Sequence, residues 1–375
     1  MLHAAKWYWP MVGGIETAAS DITGAVQGKA DVNILVCSVS GSENGITEGG
    51  VPIKRVPTLC NLCSTPISIR YLTEFRRMSK HADIIQIHAP FPLSDLALFL
   101  CKRKRTAKVA VWWHSDVVKQ KKMMFFYRPL MKSMLRRADA IFVAGEAIAK
   151  NSEYLGVYAD KIKVIPFGID LEKYKDVKYT NYLTDKLTDK NSVKLLFVGR
   201  LVYYKGVEVL LRSIKKTKNT ELFIIGTGEL DKPLKTMSKE LGLEARVHFL
   251  GRVGEDELHG AFYDCDIFVL PSVSRSECFG LVQLEAMAFG NPVINTSLPT
   301  AVPEVSINGE TGITVPPGDS FALAEAIERL AENRELRENY GAAAKARCEK
   351  YFNLKKMQET LYSEYRKLLS LKEET

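Results

Sequence analysis

Short apolar runs alternate with longer segments of helical period along this 375-residue chain. Successive runs lie about 20 to 40 residues apart, a spacing typical of repeated βα units. Strands that are apolar almost throughout belong to parallel sheets covered on both faces. The pattern therefore predicts an α/β protein with doubly wound sheets. The predicted strands are VNILVCSV, ADIIQIHA, AKVAVWWHS, ADAIFVAG and IKVIPFG in the first half, and KLLFVGRL, TELFIIGTG, RVHFLGRV, DIFVLPS, NPVINTS and TGITVPPG in the second.

Two domains are predicted, because a chain of this length exceeds what one hydrophobic core usually supports. The polar segment 170–192 shows no clear period, and we interpret it as the connection between them. We expect an N-terminal domain over residues 1–172 and a C-terminal domain over residues 190–350. Beyond Gly318 the sequence is helical in period and rich in helix formers. Its last predicted helix covers about 355–372.

The composition is that of a soluble globular protein, with 46% hydrophobic and 26% charged residues. The sequence contains no run of about 18 apolar residues, so no transmembrane helix is predicted. The sequence MLHAAKWYWPMVGG lacks the features of a signal peptide. Seven scattered cysteines, an odd number, fit a reducing compartment better than a disulfide framework. These features predict a cytoplasmic protein.

The positive charge is concentrated in the first half of the chain. Residues 1–172 contain 23 basic and 15 acidic residues, whereas the remainder contains 29 of each. This asymmetry predicts an anionic partner for the N-terminal domain, whether phospholipid headgroups, a phosphorylated acceptor or nucleic acid. The basic segment KQKKMMFFYRPLMKSMLRR fits a membrane-surface amphipathic helix, or a solvated helix with an ordinary core face. No nucleic-acid-binding motif accompanies the charge, so nucleic acid is disfavoured.

Two glutamates eight residues apart lie in the otherwise apolar stretch SRSECFGLVQLEAMAFG. The pattern predicts a helix from about Phe279 to Phe289 that is apolar on nearly every face and ends at Gly290. Such a helix is buried, and a carboxylate within it needs a partner. The partner of Glu285 is either a protein cation or a ligand with two neighbouring hydroxyls, such as a ribose.

Glu277 precedes this predicted helix and completes a candidate ligand site. Backbone N–H groups at a helix start bind phosphate. Carboxylates for sugar hydroxyls and ribose, with amides for phosphate between them, describe a nucleotide-sugar site. Arg200 and Lys205 follow the strand KLLFV, at the strand end where such sheets bind ligands. Two cations there would offset the charge of a diphosphate leaving group without a metal.

Three other motifs are weighed and disfavoured. Asp264 and Asp266 spell a DxD sequence, which in other proteins binds a divalent metal. Cys60 and Cys63 form a CxxC, but no second ligand pair for zinc is evident. The glycine-rich IIGTGE lacks the third glycine of a dinucleotide fingerprint, although it could still line a nucleotide pocket. We therefore expect no metal and no other cofactor.

The motifs ECFGLVQLE, VGRLVYYKG, WWHSDVVKQ, KVIPFGID and GGIE closely resemble the GT4 family of retaining glycosyltransferases with the GT-B fold. The resemblance covers essentially the full length, and it is strongest to bacterial enzymes that extend lipid-linked surface polysaccharides, often mannosyltransferases. It implies two Rossmann-like domains facing a central cleft, with the last helix packed back on the N-terminal domain. Closure would bring His114 to the sugar held by Glu277. The first strand, MLHAA, is shorter than the family's, so we expect it to be frayed.

The resemblance also implies roles for single residues. His114 would contact an outer hydroxyl of the donor sugar, Arg200 and Lys205 would hold the diphosphate, and Glu277 would contact the sugar; these four form the predicted catalytic set. The backbone of Val253 would recognise the base, and Glu285 would bind the ribose. The other predicted donor-binding residues are Gly14, Gly199, Phe279, Gly280 and Leu281. Acceptor or membrane contacts are predicted at Asp116, Lys119, Lys121, Lys122 and Arg128.

The implied reaction is transfer of a hexose, with retention, from a nucleotide-sugar to a glycan or lipid-linked acceptor in surface polysaccharide or glycolipid synthesis. GDP-mannose is the first choice of donor and a UDP-sugar the second. The family is generally discussed as using a front-side displacement, which needs no enzymic nucleophile. An anionic inner membrane surface is a further expected partner. Alternatives are a phosphorylase or sugar-nucleotide epimerase on the same fold, or a non-catalytic nucleotide-sugar binder.

Overall fold

A computed structural model describes residues 1–375 apart from 12, 40, 63–64, 102–106, 118–120, 176, 178–180 and 371–375, and apart from the side chains of residues 62 and 121–123. The chain divides into two compact units. The N-terminal unit comprises Met1–Phe167 and Leu354–Thr375, and the C-terminal unit comprises Gly168–Asn353.

An eight-stranded sheet forms the centre of the N-terminal unit, in the order β10-β9-β8-β7-β1-β2-β4-β3. All neighbouring strands are parallel except β3, which is antiparallel to β4. Strands β5 and β6 form a separate antiparallel pair. The bounds are β1 Leu2–Ala4, β2 Asn33–Ser38, β3 Glu43–Ile46, β4 Pro52–Pro57, β5 Cys60–Leu62, β6 Thr65–Ile67, β7 Ile84–Ala89, β8 Lys108–Trp113, β9 Ala140–Val143 and β10 Ile162–Val164.

Strand β1 is short but lies in the middle of this sheet. It pairs with β2 on one side and β7 on the other, and all three of its residues are buried. The expectation of a frayed first strand is therefore wrong, because ladders on both sides hold it. The helices that precede residue 152 in this unit are α1 Gly14–Gly24, α2 Ile69–Ser79, α3 Pro92–Leu100, α4 Lys121–Arg137 and α5 Glu146–Asn151.

The C-terminal unit contains a six-stranded, fully parallel sheet in the order β13-β12-β11-β14-β15-β16. Its strands are β11 Val193–Val198, β12 Thr220–Ile225, β13 Val247–Gly251, β14 Ile267–Val269, β15 Val293–Thr296 and β16 Gly312–Val315. Its helices are α6 Val207–Ile214, α7 Asp231–Glu240, α8 Glu255–Asp264, α9 Val282–Ala288, α10 Val302–Val305, α11 Ser320–Glu332 and α12 Arg334–Tyr351. The six apolar runs predicted for the second half each form one of these strands, as expected of a doubly wound sheet.

The last helix, α13 Leu354–Ser370, belongs to the N-terminal unit. The Tyr365 hydroxyl donates to the Gln86 side chain in β7 at 2.7 Å, and Gln358 donates to the Asp21 carbonyl in α1 at 3.0 Å. Both Tyr365 and Gln86 are buried, so this contact fixes α13 on the sheet. Within the described chain, no helix combines the length and apolarity needed to cross a membrane.

The segment expected to connect the domains lies within the C-terminal unit. Asp264 accepts from the amides of Leu183 and Thr184 at 2.8 and 2.7 Å, and from the Thr184 hydroxyl at 2.8 Å. Lys194 reaches the same carboxylate at 3.1 Å, and its amide donates to Asp266 at 2.8 Å. The DxD carboxylates therefore anchor this segment to the sheet.

Candidate active site

The loops that follow β11 and β14 bring a lysine and a glutamate together at the carboxyl edge of the C-terminal sheet. Lys205 Nζ lies 2.5 Å from Glu277 Oε2, and both residues are buried. The Ser272 hydroxyl donates to the same oxygen at 3.1 Å. A buried carboxylate is stable only with such partners, because desolvation penalises an uncompensated charge. The structure thus joins two of the predicted catalytic residues.

A glycine allows these two loops to approach closely. Gly206 has a φ of 69°, and a Cβ placed on it would lie 2.0 Å from the carbonyl oxygen of Pro271. The Val273 amide donates to the Tyr204 carbonyl at 2.8 Å, and this hydrogen bond is a second contact between the two loops. A side chain at position 206 would push the loops apart and separate Lys205 from Glu277.

Arg200 lies at the start of the same loop but differs from Lys205 in exposure. Its guanidinium is exposed and donates to the Tyr204 hydroxyl at 3.3 Å. Gly199, immediately before it, continues the β11 ladder by donating to the Ile225 carbonyl at 3.0 Å. The loop therefore carries one buried cation, Lys205, that is paired with a carboxylate, and one exposed cation, Arg200, that is accessible to an anion.

The helix predicted from Phe279 begins three residues later than expected. Gly280 takes a left-handed conformation with a φ of 74°, and regular helix α9 starts only at Val282. The predicted position of the helix start is therefore wrong, because α9 is a seven-residue helix preceded by an irregular turn, whereas phosphate binding by the amides before it stays a prediction. Within the described part of the chain, the amides of Gly280 and Leu281 donate to no protein acceptor. The turn itself therefore presents two N–H groups.

A buried amide network fixes this turn, and the sequence analysis missed it. Gln283 donates to the Phe279 carbonyl at 2.9 Å and accepts from Asn295 at 2.9 Å. Asn295 also donates to the Val302 carbonyl at 3.0 Å. Gln283 and Asn295 are both fully buried. The signal was present, since Gln283 is the second polar residue of an otherwise apolar helix, but its partners are distant in sequence.

Glu285 lies on α9, where it is half-buried. Among the residues that the structure describes, none forms a hydrogen bond or ion pair with its carboxylate. Burial, with a smaller contribution from the charge of Glu255, raises the pKa of Glu285 to about 7. Of the two predicted partners, a protein cation is therefore not found within the described chain. The carboxylate retains its capacity to accept hydrogen bonds from a ligand.

Val253 lies in the loop between β13 and α8, where it is half-buried.

Gly226 and Gly228, in the loop after β12, pack directly on the loop after β11. A Cβ on Gly226 would lie 2.0 Å from the Gly199 carbonyl oxygen, and one on Gly228 would lie 2.4 Å from that of Leu201. The glycines of IIGTGE therefore serve close packing of two site loops.

His114 follows β8 in the N-terminal unit and is only 7% exposed. Its ring plane is tilted by only 15° from that of His88, with the ring centroids 5.4 Å apart, and it lies nearly parallel to the ring of Phe167 at 6.2 Å. His88 Nδ1 lies 3.1 Å from His114 Nε2. Burial lowers the pKa of His88 to about 3, and burial together with His88 lowers the pKa of His114 well below its ordinary value. Both rings are therefore neutral at pH 7.

Gly14 is the first residue of α1, directly after the N-cap residue Gly13.

Asp116 forms hydrogen bonds within the N-terminal unit. It accepts from the Trp113 indole at 3.0 Å, from the Ser152 hydroxyl at 2.7 Å and from the Glu153 amide at 3.1 Å. These bonds join the end of β8 to the turn after α5. The geometry therefore supports a structural role for Asp116 and gives no support to the predicted acceptor contact.

The basic segment forms α4, as its helical period indicates. Arg128 is exposed and lies 5.7 Å from the Tyr154 ring centroid. Lys121 and Lys122 lie in the first turn of α4, but their side chains are outside the described atoms. Lys119, like Cys63 of the CxxC motif, lies outside the described residues.

Within the described chain, no group of three or more His, Cys, Asp or Glu is arranged to hold a metal ion.

Comparisons with known proteins agree with this architecture. Residues 12–173 match the family model Glycosyltransferase Family 4, and residues 180–347 match Glycosyl transferases group 1. The chain is 32% identical to D-rhamnosyltransferase WbpZ of Pseudomonas aeruginosa, over 94% of this chain and 92% of that protein. It is 30% identical to O-antigen chain mannosyltransferase C of Escherichia coli, over 99% of each.

Among solved structures, Anabaena HepE in complex with UDP-glucose superposes with a TM-score of 0.80, at 20% identity, over 98% of this chain and 100% of that chain. At that identity the likeness shows the fold alone. With two Rossmann-like parallel sheets, two matching family models and full-length relatives at 30% identity or above, the chain belongs to glycosyltransferase family 4 and has the GT-B fold.

Proposed function

We propose that this glycosyltransferase moves a hexose, with retention and without a metal, from a nucleotide-sugar to a glycan or lipid-linked acceptor in surface polysaccharide or glycolipid synthesis. The observation that carries the proposal is the buried Lys205–Glu277 pair, followed three residues later by a turn whose Gly280 and Leu281 amides have no described protein acceptor. A cation, a carboxylate and two amides match a sugar joined to a diphosphate.

In the proposed reaction, the bond between the anomeric carbon and the leaving phosphate breaks while a bond to the acceptor oxygen forms. The acceptor's proton passes to the departing phosphate. Lys205, Arg200 and the two amides offset the charge that develops on the nucleoside diphosphate. Glu277 accepts hydrogen bonds from sugar hydroxyls and holds the oxocarbenium-like sugar in place. No side chain acts as a covalent nucleophile.

Glu285 completes the donor site in this proposal. A carboxylate can accept from both hydroxyls of a ribose at once, and this one has no described protein donor. Its raised pKa means that a ligand binding the ionised form must displace a proton near neutral pH. Val253 contacts the base through its backbone, and His114 of the N-terminal unit hydrogen-bonds an outer hydroxyl of the donor sugar.

The names of the relatives support a donor of the mannose type. One is a D-rhamnosyltransferase and another a mannosyltransferase, and D-rhamnose is the 6-deoxy form of D-mannose. GDP-mannose is therefore the first donor to test. A UDP-sugar is the second, since UDP-glucose is bound by a protein of the same fold.

We also propose that α4 brings the protein to the cytoplasmic face of an anionic membrane. Phe125 and Phe126 of α4 are 79% and 81% exposed, and their rings form an edge-to-face pair at 5.4 Å. Arg128, Lys132 and Arg136 of the same helix are also exposed. Exposed aromatic side chains beside cations suit a surface of anionic headgroups over acyl chains.

A panel of sugar nucleotides tests the proposed reaction. GDP-mannose is expected to raise the melting temperature and to yield a glycosylated product with an α-linked sugar, as in the donor, with unchanged rates in excess EDTA. Transfer with inverted configuration, or loss of activity on chelation, would contradict the mechanism. Failure of every GDP- and UDP-sugar to stabilise the protein would contradict the donor site itself.

A further inference from the structure

Three buried histidines lie at the centre of the N-terminal sheet, and only one of them, His114, has a role in the proposed function. His3 lies in β1, His88 lies in the adjacent β7, and His114 follows β8. The ring centroids of His3 and His88 are 6.0 Å apart, and those of His88 and His114 are 5.4 Å apart. His3 and His88 are 1% and 3% exposed. Each has a buried Nε2 with no hydrogen-bond partner in the described structure.

The tautomer of His3 follows from its neighbour Thr23. The Thr23 hydroxyl donates its only proton to the Ala19 carbonyl at 2.8 Å. Its oxygen also lies 3.3 Å from His3 Nδ1, so that contact requires the proton to be on Nδ1. The buried Nε2 of His3 is consequently a bare acceptor. This sheet therefore already tolerates one unfilled imidazole acceptor in its core.

The same reasoning applies to the pair formed by His88 and His114. If the proton of His88 were on Nε2, a buried N–H group would have no described acceptor, which is among the rarest situations in folded proteins. If the proton is on Nδ1, it is donated to His114 Nε2 over 3.1 Å, and only an acceptor site stays unfilled. In the second arrangement His114 Nε2 accepts a hydrogen bond and therefore carries no proton. The single ring proton of a neutral His114 then lies on Nδ1.

We propose that His88 is a positioning residue that fixes His114 in the Nδ1–H tautomer, so that His114 acts as a hydrogen-bond donor toward an oxygen of the donor substrate. This inference rests on the proposed function of His114. His114 Nδ1 has no protein partner among the described residues, and it is the ring nitrogen that the His88 contact leaves available to a ligand. The nearly parallel ring of Phe167 restricts the plane of the His114 ring, and the hydrogen bond to His88 restricts its rotation.

A direct test is the ¹⁵N spectrum of the histidine rings in the full-length protein, assigned with a His114→Gln variant. Protonated and bare ring nitrogens have well-separated shifts, so the tautomer is measured without an activity assay. We expect His114 to carry its proton on Nδ1 in the wild type. A proton on Nε2 would overturn the inference, whatever the enzyme's substrates prove to be.

Three variants connect the tautomer to catalysis. His88→Phe keeps a ring in the core but removes the donor, and kcat is expected to fall by about 10- to 100-fold with little change in the KM for the sugar nucleotide, as when the partner that orients a metal-ligating histidine is lost. His88→Asn places an amide N–H near the position of Nδ1 and is expected to retain most of the activity. His3→Phe, in the neighbouring strand, is the matched control for disturbing the core and should leave kcat unchanged.

The outcomes separate this inference from the proposed function. Equal losses in the three variants would reduce His88 to a packing residue and overturn the inference. Loss of transfer in His114→Gln but not in His88→Phe would do the same while leaving the proposed function intact. Full transfer by His114→Gln would instead contradict the role of His114 in the proposed function.

Discussion

Lys205 Nζ and Glu277 Oε2 form a buried ion pair 2.5 Å long, at the point where the loops after β11 and β14 meet. The cation proposed for the diphosphate and the carboxylate proposed for the sugar are therefore each other's partners. A bound nucleotide-sugar would supply both with new partners: phosphate oxygens for the lysine and hydroxyl groups for the glutamate. The pairing thus avoids an uncompensated buried charge.

Breaking this pair from one side is expected to destabilise the protein. Glu277→Gln or Lys205→Met leaves one buried group without its counter-charge, and each should lower the free energy of unfolding by about 3 kcal/mol. The double variant should lose clearly less than the sum of the two, because it leaves no buried charge behind. Urea denaturation of the four proteins measures the coupling. Additive losses would show that the pair contributes nothing beyond its separate residues.

Glu285 is expected to make stability depend on pH. Its pKa is about 7 in the folded protein against an ordinary value of 4.5, so the folded state holds the proton more tightly than the unfolded chain. Stability should therefore fall as the pH rises from about 4.5 to 7 and then level off. Glu285→Gln should remove this component, so that the variant melts higher than the wild type at pH 8 and gains little at pH 4.5.

The controls for this prediction lie elsewhere in the chain. The buried Asp95 also has its pKa raised to about 7, by burial, and it will contribute a fall of the same sign. The comparison of Glu285→Gln with the wild type isolates the Glu285 component, since Asp95 is present in both. The exposed Glu240→Gln substitution should leave the dependence of stability on pH as it is in the wild type. Parallel pH profiles for the wild type and Glu285→Gln would show that Glu285 is ionised normally.

The same group should make nucleotide binding pH-dependent. Only the ionised carboxylate can accept from both ribose hydroxyls, so the affinity for GDP should increase between pH 6 and 8 and become constant above that range. Glu285→Gln should bind more weakly at pH 8 and show a flatter profile. Titration calorimetry measures both effects. Equal affinities for the two proteins at pH 8 would remove Glu285 from the donor site.

The turn at Gly280 is expected to be sensitive to any side chain. Alanine there would be strained at a φ of 74°, and its Cβ would lie 2.6 Å from Leu270 Cδ2. Gly280→Ala should therefore weaken nucleotide-sugar binding at least tenfold, because the amides of the turn move. Gly309→Ala is the matched control, since Gly309 has a φ of 79° with no atom within 4 Å of the new Cβ. Equal binding by both variants would contradict a donor role for the turn.

Membrane binding is expected to depend on the two exposed rings of α4. Replacing Phe125 and Phe126 by serine should reduce co-sedimentation with vesicles of anionic phospholipid several-fold without lowering the melting temperature, because both rings are largely exposed. Phe321→Ser is the control, an exposed phenylalanine of the C-terminal unit. Binding of the wild type to neutral vesicles alone, or unchanged binding by the double variant, would contradict the proposal.

The parallel strands other than β4 were predictable from sequence because each is a short apolar run between glycine or polar residues. Strands β3 to β6 were missed, since β3, β5 and β6 have only three or four residues, and β4 begins and ends at Pro52 and Pro57 and contains Lys54 and Arg55. The start of α9 was misplaced because Gly280 was expected to be helical, whereas it has a φ of 74°, outside the right-handed helical region.

The candidate site was predictable where its signal is local. Glu277, Glu285 and Lys205 stand out as polar residues at strand ends or in an apolar helix. The links between them depend on contacts distant in sequence, such as Gly206 against Pro271. The structural contacts of Asp116 were not predictable for the same reason, since two of its donors come from a turn 36 and 37 residues away. His88 gave no signal, because a single histidine in an apolar strand is normally a core residue.

The most direct test of the account is sugar transfer by Glu277→Gln, which keeps the size of the side chain and removes its charge. With GDP-mannose and a lipid-linked acceptor, we expect wild-type transfer and a loss of at least 100-fold in the variant, alongside a cooperative unfolding transition in both. Glu208→Gln, an exposed residue of α6, should transfer at the wild-type rate. Undiminished transfer by a folded Glu277→Gln protein would contradict the assignment of this site.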